Sequence, residues 1–198
     1  MKAYMQYLTV NEFSRPGKRL HAVKGIVMHW TASPEQNARD VQAYFERRKA
    51  GTLGYGSAHY IVDQTGEIVQ CMPELEVAYH CGSSQADPKS GRIYTDEARA
   101  RFGKYAENPD ALSPNLVTIG IELCPTDDAG NFTEKTLEAA TELCAYLCRK
   151  YKLAAKDITT HHDVVGWKDC PRLWTAKPEL LDAFRQRVKD TIVRDWIA

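Results

Sequence analysis

"LVTIGIELCPTDDAGNFTEKTLEAATELCAYLCRKY" (residues 116–151) holds two different periodicities separated by a turn. In the first eight residues, Val117, Ile119, Ile121 and Leu123 alternate with Thr118, Gly120 and Glu122. A period of two puts the first set on one face of a strand and the second on the other. The apolar face is a core face. The opposite face is nearly bare and ends in a carboxylate, and Gly120 leaves room there for a substrate or a close backbone. After the polar stretch 124–132, Thr133 caps a helix with Leu137, Ala140, Cys144, Leu147 and Tyr151 along one stripe.

The same alternation of strand and helix extends in both directions. Residues 25–29 (GIVMH) read as a short buried strand ending at His29. Ser33-Pro34-Glu35-Gln36 predicts a helix start, with Ser33 as N-cap and Gln36 closing a capping box; Gly51 stops that helix. Residues 58–62 and 67–71 form a hairpin through Asp63-Gln64-Thr65-Gly66. Residues 1–20 read as an irregular lead-in. Residues 82–115 form a long polar excursion with a helix near 95–102, and a loop of that length is more often functional than idle. A final amphipathic helix begins at Pro178 and runs to about 195. The pattern predicts one α/β domain over residues 1–198, with its core at about 22–175: a single central mixed β-sheet flanked by helices.

Composition narrows the function classes. The 198 residues are enough for a real hydrophobic core. Lys+Arg and Asp+Glu balance at 26 each, so no overall field points to nucleic acid or an anionic membrane. No apolar run approaches the roughly 18 residues a membrane span needs. The N-terminal stretch shows no secretory signal, so synthesis in the cytoplasm is expected. Six cysteines without a signal peptide read as free thiols, and Cys144 and Cys148 as small core residues.

The chemistry-bearing residues cluster in "HHDVVGWKDCPR" (161–172). Two histidines and a thiolate suit a zinc ion, but the chain has no C-x-x-C pair of the kind that closes a structural site. A further ligand must come from far away, and His29, at the end of an apolar strand, is the natural candidate. A histidine at a strand end is by itself more often a hydrogen-bonded residue than a ligand.

Five stretches in order carry a resemblance: "IVMHWTAS" (26–33), "SAHYIVDQTGEIVQ" (57–70), "VAYHCG" (77–82), "TIGIELC" (118–124) and "HHDVVGWKDCPR" (161–172). The chain resembles the zinc-dependent N-acetylmuramoyl-L-alanine amidases of type 2, the family that includes phage endolysins and peptidoglycan recognition proteins. The resemblance implies one catalytic Zn2+ held by His29, His162 and Cys170, with the histidine directly before the aspartate preferred over His161. Three protein ligands leave a fourth position for water. It further implies Glu122 as general base and Lys168 as the cation stabilising the oxyanion. His80, Trp30 and Thr31 are implied as substrate-groove residues. Ala58 stands where the phage-lysozyme branch has a catalytic tyrosine, which leaves the base role to Glu122. Asp163 reads either as a partner of a ligand imidazole or as a loop cap.

The implied reaction is hydrolysis of the amide between N-acetylmuramic acid and L-alanine in peptidoglycan, by a phage or prophage lytic enzyme acting on the wall after lysis. The alternatives are a cytoplasmic amidase recycling muropeptides and a peptidoglycan-binding module without catalysis.

Overall fold

The computed structural model describes residues 2–86, 91–107 and 113–197. Six strands form one mixed sheet: β1 (Ala3–Met5), β2 (Gly25–Trp30), β3 (Tyr60–Val62), β4 (Ile68–Gln70), β5 (Thr118–Leu123) and β6 (Ile158–Thr160). Their order across the sheet is β1-β4-β3-β5-β2-β6. Only the β3–β4 hairpin is antiparallel; the other four pairings are parallel. The helices are α1 (Ala38–Arg47), α2 (Asp96–Phe102), α3 (Glu134–Tyr151), α4 (His161–Val165), α5 (Arg172–Ala176) and α6 (Glu179–Ile197).

Alternation in the two central strands sorts side chains into two layers. Ile26 and Met28 of β2 and Ile119, Ile121 and Leu123 of β5 join Leu143 and Leu147 of α3 and Phe184 and Val188 of α6 in one core. Full burial of aliphatic side chains of this size stabilises by about 1.5–3 kcal/mol each. The other face is covered in two separate patches. On one side α1 packs Ala38, Val41 and Phe45 on Ile61 and Val69. On the other, Ala98 and Phe102 of α2 and Val164 and Val165 of α4 pack on Val27 and Val117. A cleft opens between these patches.

Local chemistry fixes the elements around it. The hairpin turns as expected: Asp63 Oδ1 accepts from the backbone N–H groups of Thr65 and Glu67, and Gly66 takes φ 84°. Thr133 caps α3 by accepting from Thr136 N, and Thr95 caps α2 by accepting from Ala98 N. The start of α1 lies four residues beyond the expected Ser33. Asn37 Oδ1 accepts from Arg39 N and Asp40 N while Asp40 Oδ2 accepts from Asn37 N, so a second capping box outcompetes the first. Strands β1 and β6 and helix α5 were not expected. All six cysteines are buried free thiols.

Candidate metal centre and active site

The sheet register assembles the site. In the parallel β2–β5 pair, His29 is the partner of Glu122. On the other side of β2, Ile26, Val27 and Met28 pair with Ile158, Thr159 and Thr160 of β6. One further step in that register sets His161 beside His29, with ring centroids 4.8 Å apart. His161, His29 and Glu122 thus form a row at the carboxyl ends of three parallel strands, the position where open α/β sheets place their ligand sites.

Helix α4 begins at this row. Thr160 Oγ1 accepts from Asp163 N, and Asp163 Oδ2 accepts from Thr160 N and Thr159 Oγ1. Asp163 is therefore the reciprocal cap of α4. This box makes His161 the first helical residue and points successive side chains about 100° apart. Only one of the two adjacent histidines can then face the cleft.

That histidine is His161. The potential ligand atoms of His29, His161 and Cys170 lie within 4.8 Å of one another, and all three residues are buried. His29 Nδ1 is 3.7 Å from Cys170 Sγ. The expected ligand His162 is not in this group. Its Nδ1 donates to the Lys168 carbonyl at 3.0 Å, and its backbone N–H donates to the Cys170 carbonyl at 2.9 Å. His162 instead braces the loop that carries Lys168 and Cys170.

The electrostatics suit a cation site. Burial, reinforced by His161, His80 and Lys168, holds His29 well below the usual imidazole range. Burial and then Lys168 lower His161 to about 4. Both are neutral, as metal ligation requires. Burial pushes the Cys170 thiol up. Burial raises Glu122 to about 8, with Lys168 as a partial offset. Its Oε2 is enclosed and has no hydrogen-bond partner, an arrangement more typical of functional sites than of stable cores.

These residues line a cleft of 860 Å³, within the range of small-molecule sites. Lys168, Trp30 and Thr31 also line it. The indole of Trp30 is committed: its Nε1 donates to the Asp169 carbonyl, tying the end of β2 to the Cys170 loop. His80 lines the cleft as expected, with its ring nitrogens turned to the protein. It is buried, with Nδ1 3.1 Å from His29 Nε2 and Nε2 3.2 Å from Thr118 Oγ1. Both ring nitrogens are occupied within the protein, so it does not offer a free hydrogen-bonding atom to a substrate. Gly120 is bare because of His80: an added Cβ would lie 2.5 Å from its Cγ. The far wall of the cleft, from Tyr44, Arg48, Tyr55 and Tyr79, escaped the sequence reading. The spacing of Val41, Tyr44 and Phe45 on α1, with Arg48 directly after its end, was the available signal.

The geometry has counterparts among known proteins. A family profile of N-acetylmuramoyl-L-alanine amidases matches residues 19–173. The chain belongs to the N-acetylmuramoyl-L-alanine amidase family. A probable N-acetylmuramoyl-L-alanine amidase of Bacillus licheniformis is 36% identical over 198 residues, which is 100% of this chain and 50% of that protein. The amidase BlyA of Bacillus subtilis (strain 168) is 34% identical over 92% of this chain and 46% of its own length. The chain therefore spans about half the length of the curated amidases it matches. Its fold is also that of PlyL, with a TM-score of 0.68 at 19% identity over 96% of this chain and 98% of that one. The solution structure of the PlyG catalytic domain matches with a TM-score of 0.69 at 20% identity, over 98% and 96%. The mixed sheet flanked by helices is thus the amidase fold. No helix among the described residues is long and apolar enough to cross a membrane.

Proposed function

We propose that this chain is a zinc-dependent peptidoglycan amidase domain that cleaves the bond between N-acetylmuramic acid and L-alanine. The observation that carries the reading is the convergence of His29, His161 and Cys170 beside the unpartnered carboxylate of Glu122. Two imidazoles and a thiolate are zinc donors, and three protein ligands are the number that a catalytic zinc site uses. When bound, zinc supplies Lewis-acid polarisation of a carbonyl and acidifies water.

The chain's own residues supply the rest. Glu122, whose Oε2 has no competing partner, takes a proton from the attacking water in its ionised form and passes it to the leaving amine nitrogen. Lys168 places a positive charge over the same cleft, where negative charge grows on the carbonyl oxygen. Trp30 and Thr31 border the cleft, and its wall of Tyr44, Tyr55 and Tyr79 offers flat surfaces for sugar or peptide. Cys170 would hold the ion as a thiolate, so its thiol would give up a proton on loading.

We further propose that the substrate is the assembled wall and the role lytic. A structure of the same fold is described as an endolysin from Bacillus subtilis, which favours the wall over soluble muropeptides, and Glu122 with Lys168 favours catalysis over binding alone. The deciding experiment digests intact sacculi and soluble muropeptides with zinc-loaded and zinc-stripped protein and identifies the new ends by mass spectrometry. Free L-alanine amino termini, appearing faster on sacculi and only with the loaded protein, are expected. Cleavage at another bond, or equal cleavage after stripping, sinks the proposal.

A further inference from the structure

Proton positions along a buried chain of four groups can be worked out from one fixed end. The Pro114 carbonyl can only accept, and Thr118 Oγ1 donates to it at 2.7 Å. The single hydroxyl proton of Thr118 is thereby committed. At 3.2 Å from His80 Nε2 the hydroxyl must then accept, so Nε2 carries the His80 proton. A neutral His80 has its lone pair on Nδ1. The Cys81 thiol, 3.2 Å from that atom, is a weak donor and agrees with it. His29 Nε2, 3.1 Å from the same Nδ1, must donate. The lone pair of His29 is left on Nδ1, the nitrogen that faces Cys170.

We propose that His80 is a positioning residue for the metal centre: with Thr118 it locks His29 in the Nε2–H tautomer, so that Nδ1 is presented as a ligand. The inference rests on the zinc reading above. Outer partners of ligating histidines fix ring orientation and tautomer. Here that partner is a second histidine, itself set by a hydroxyl and a carbonyl. The other ligand needs no relay, because His161 Nε2 lies 3.0 Å from the Gly82 carbonyl, which fixes its proton directly. Gly120 belongs to the device: an added Cβ would meet the His80 Cγ, Nδ1 and Cδ2 at 2.5, 2.7 and 2.8 Å and push the ring off His29.

The test has two readouts that do not require turnover. Nitrogen-15 NMR of the metal-stripped protein reports the protonated ring nitrogen of each histidine. Competition of Zn2+ with a chromophoric chelator gives the affinity. The wild type is expected to show Nε2–H at His29, His80 and His161. Thr118→Val removes the acceptor without changing shape, and is expected to move His29 toward Nδ1–H and weaken Zn2+ about 10–100-fold. Thr118→Ser restores both readouts. His80→Ala and Gly120→Ala are expected to weaken Zn2+ over the same range, with circular dichroism confirming that each is folded. A wild-type His29 protonated on Nδ1 overturns the relay, as do folded Thr118→Val and His80→Ala proteins with wild-type affinity. A wild type that shows the tautomers but binds no Zn2+ overturns the metal reading instead, so the two failures are distinct.

Discussion

His29 and Glu122 face each other as register partners across two parallel strands. One is the first donor of the candidate metal site and the other its orphaned carboxylate. Because β2 and β5 are both buried and tightly paired, neither side chain can drift from the other without unzipping the centre of the sheet. The backbone spacing of the candidate base and the candidate ligand is a property of the fold.

Glu122→Gln keeps the shape and removes the base. Cleavage of purified wall is expected to fall by about 10²–10⁴-fold, while zinc content by atomic absorption stays at the wild-type ratio. Loss of zinc with the activity would reassign Glu122 to ion binding.

The paired histidines give a sharper contrast. His161→Ala is expected to abolish stoichiometric zinc, because it removes one of three converging donors. His162→Ala is expected to retain zinc and to lower activity through a looser Lys168 loop, since it removes the bond from Nδ1 to the Lys168 carbonyl. The reverse pattern in metal analysis would restore His162 as the ligand.

Zinc removal should cost stability as well as activity. A ligand that binds only the native state, free at 1,000 times its Kd, stabilises by about 4 kcal/mol. Calorimetry of stripped and reloaded protein is expected to show a lower Tm without the ion, and unchanged melting would contradict a site formed by folding.

Acid should weaken the stripped protein through His59. Burial lowers its pKa to about 4, against the effect of its bond to the Glu76 carbonyl. The unfolded chain, with an ordinary histidine near 6.5, binds the extra proton between those values. Stability is therefore full above pH 6.5 and falls as pH drops toward 4, by about 3 kcal/mol for this group. His59→Gln can still accept from Gly120 N and donate to Glu76, and is expected to flatten the urea-denaturation profile across that window. An unchanged slope would assign the acid sensitivity to the other buried histidines.

Where periodicity was long, the fold could be read from the chain. β5 and α3 have six and eighteen residues, and Ile119, Ile121 and Leu123 join Ala140, Cys144 and Leu147 in one core as expected; Val117 packs with the opposite face instead, and Thr118 and Gly120 on the expected bare face are buried too. β1 and β6 have three residues each at the sheet margins, and Tyr4 and Met5 are exposed, so no apolar alternation marks them. The start of α1 was ambiguous because two capping boxes lie in succession and only tertiary packing of Ala38 and Val41 selects the second. Of the three converging candidate donors, His29 and Cys170 were named from the sequence. The choice between His161 and His162 depends on how β6 aligns with β2, which no local pattern encodes. His80 stood out as a residue, but the direction of its ring depends on the glycine across from it.

The separation of the donors has a consequence during synthesis. His29 and Cys170 are 141 residues apart, and the strand leading to His161 joins the sheet edge last in chain order. A nascent polypeptide still tethered to the ribosome at residue 150 has already made His29, His80 and Glu122, yet holds only one of the three donors. The candidate donor set is therefore incomplete until the final quarter of the chain has emerged and β6 has docked on β2.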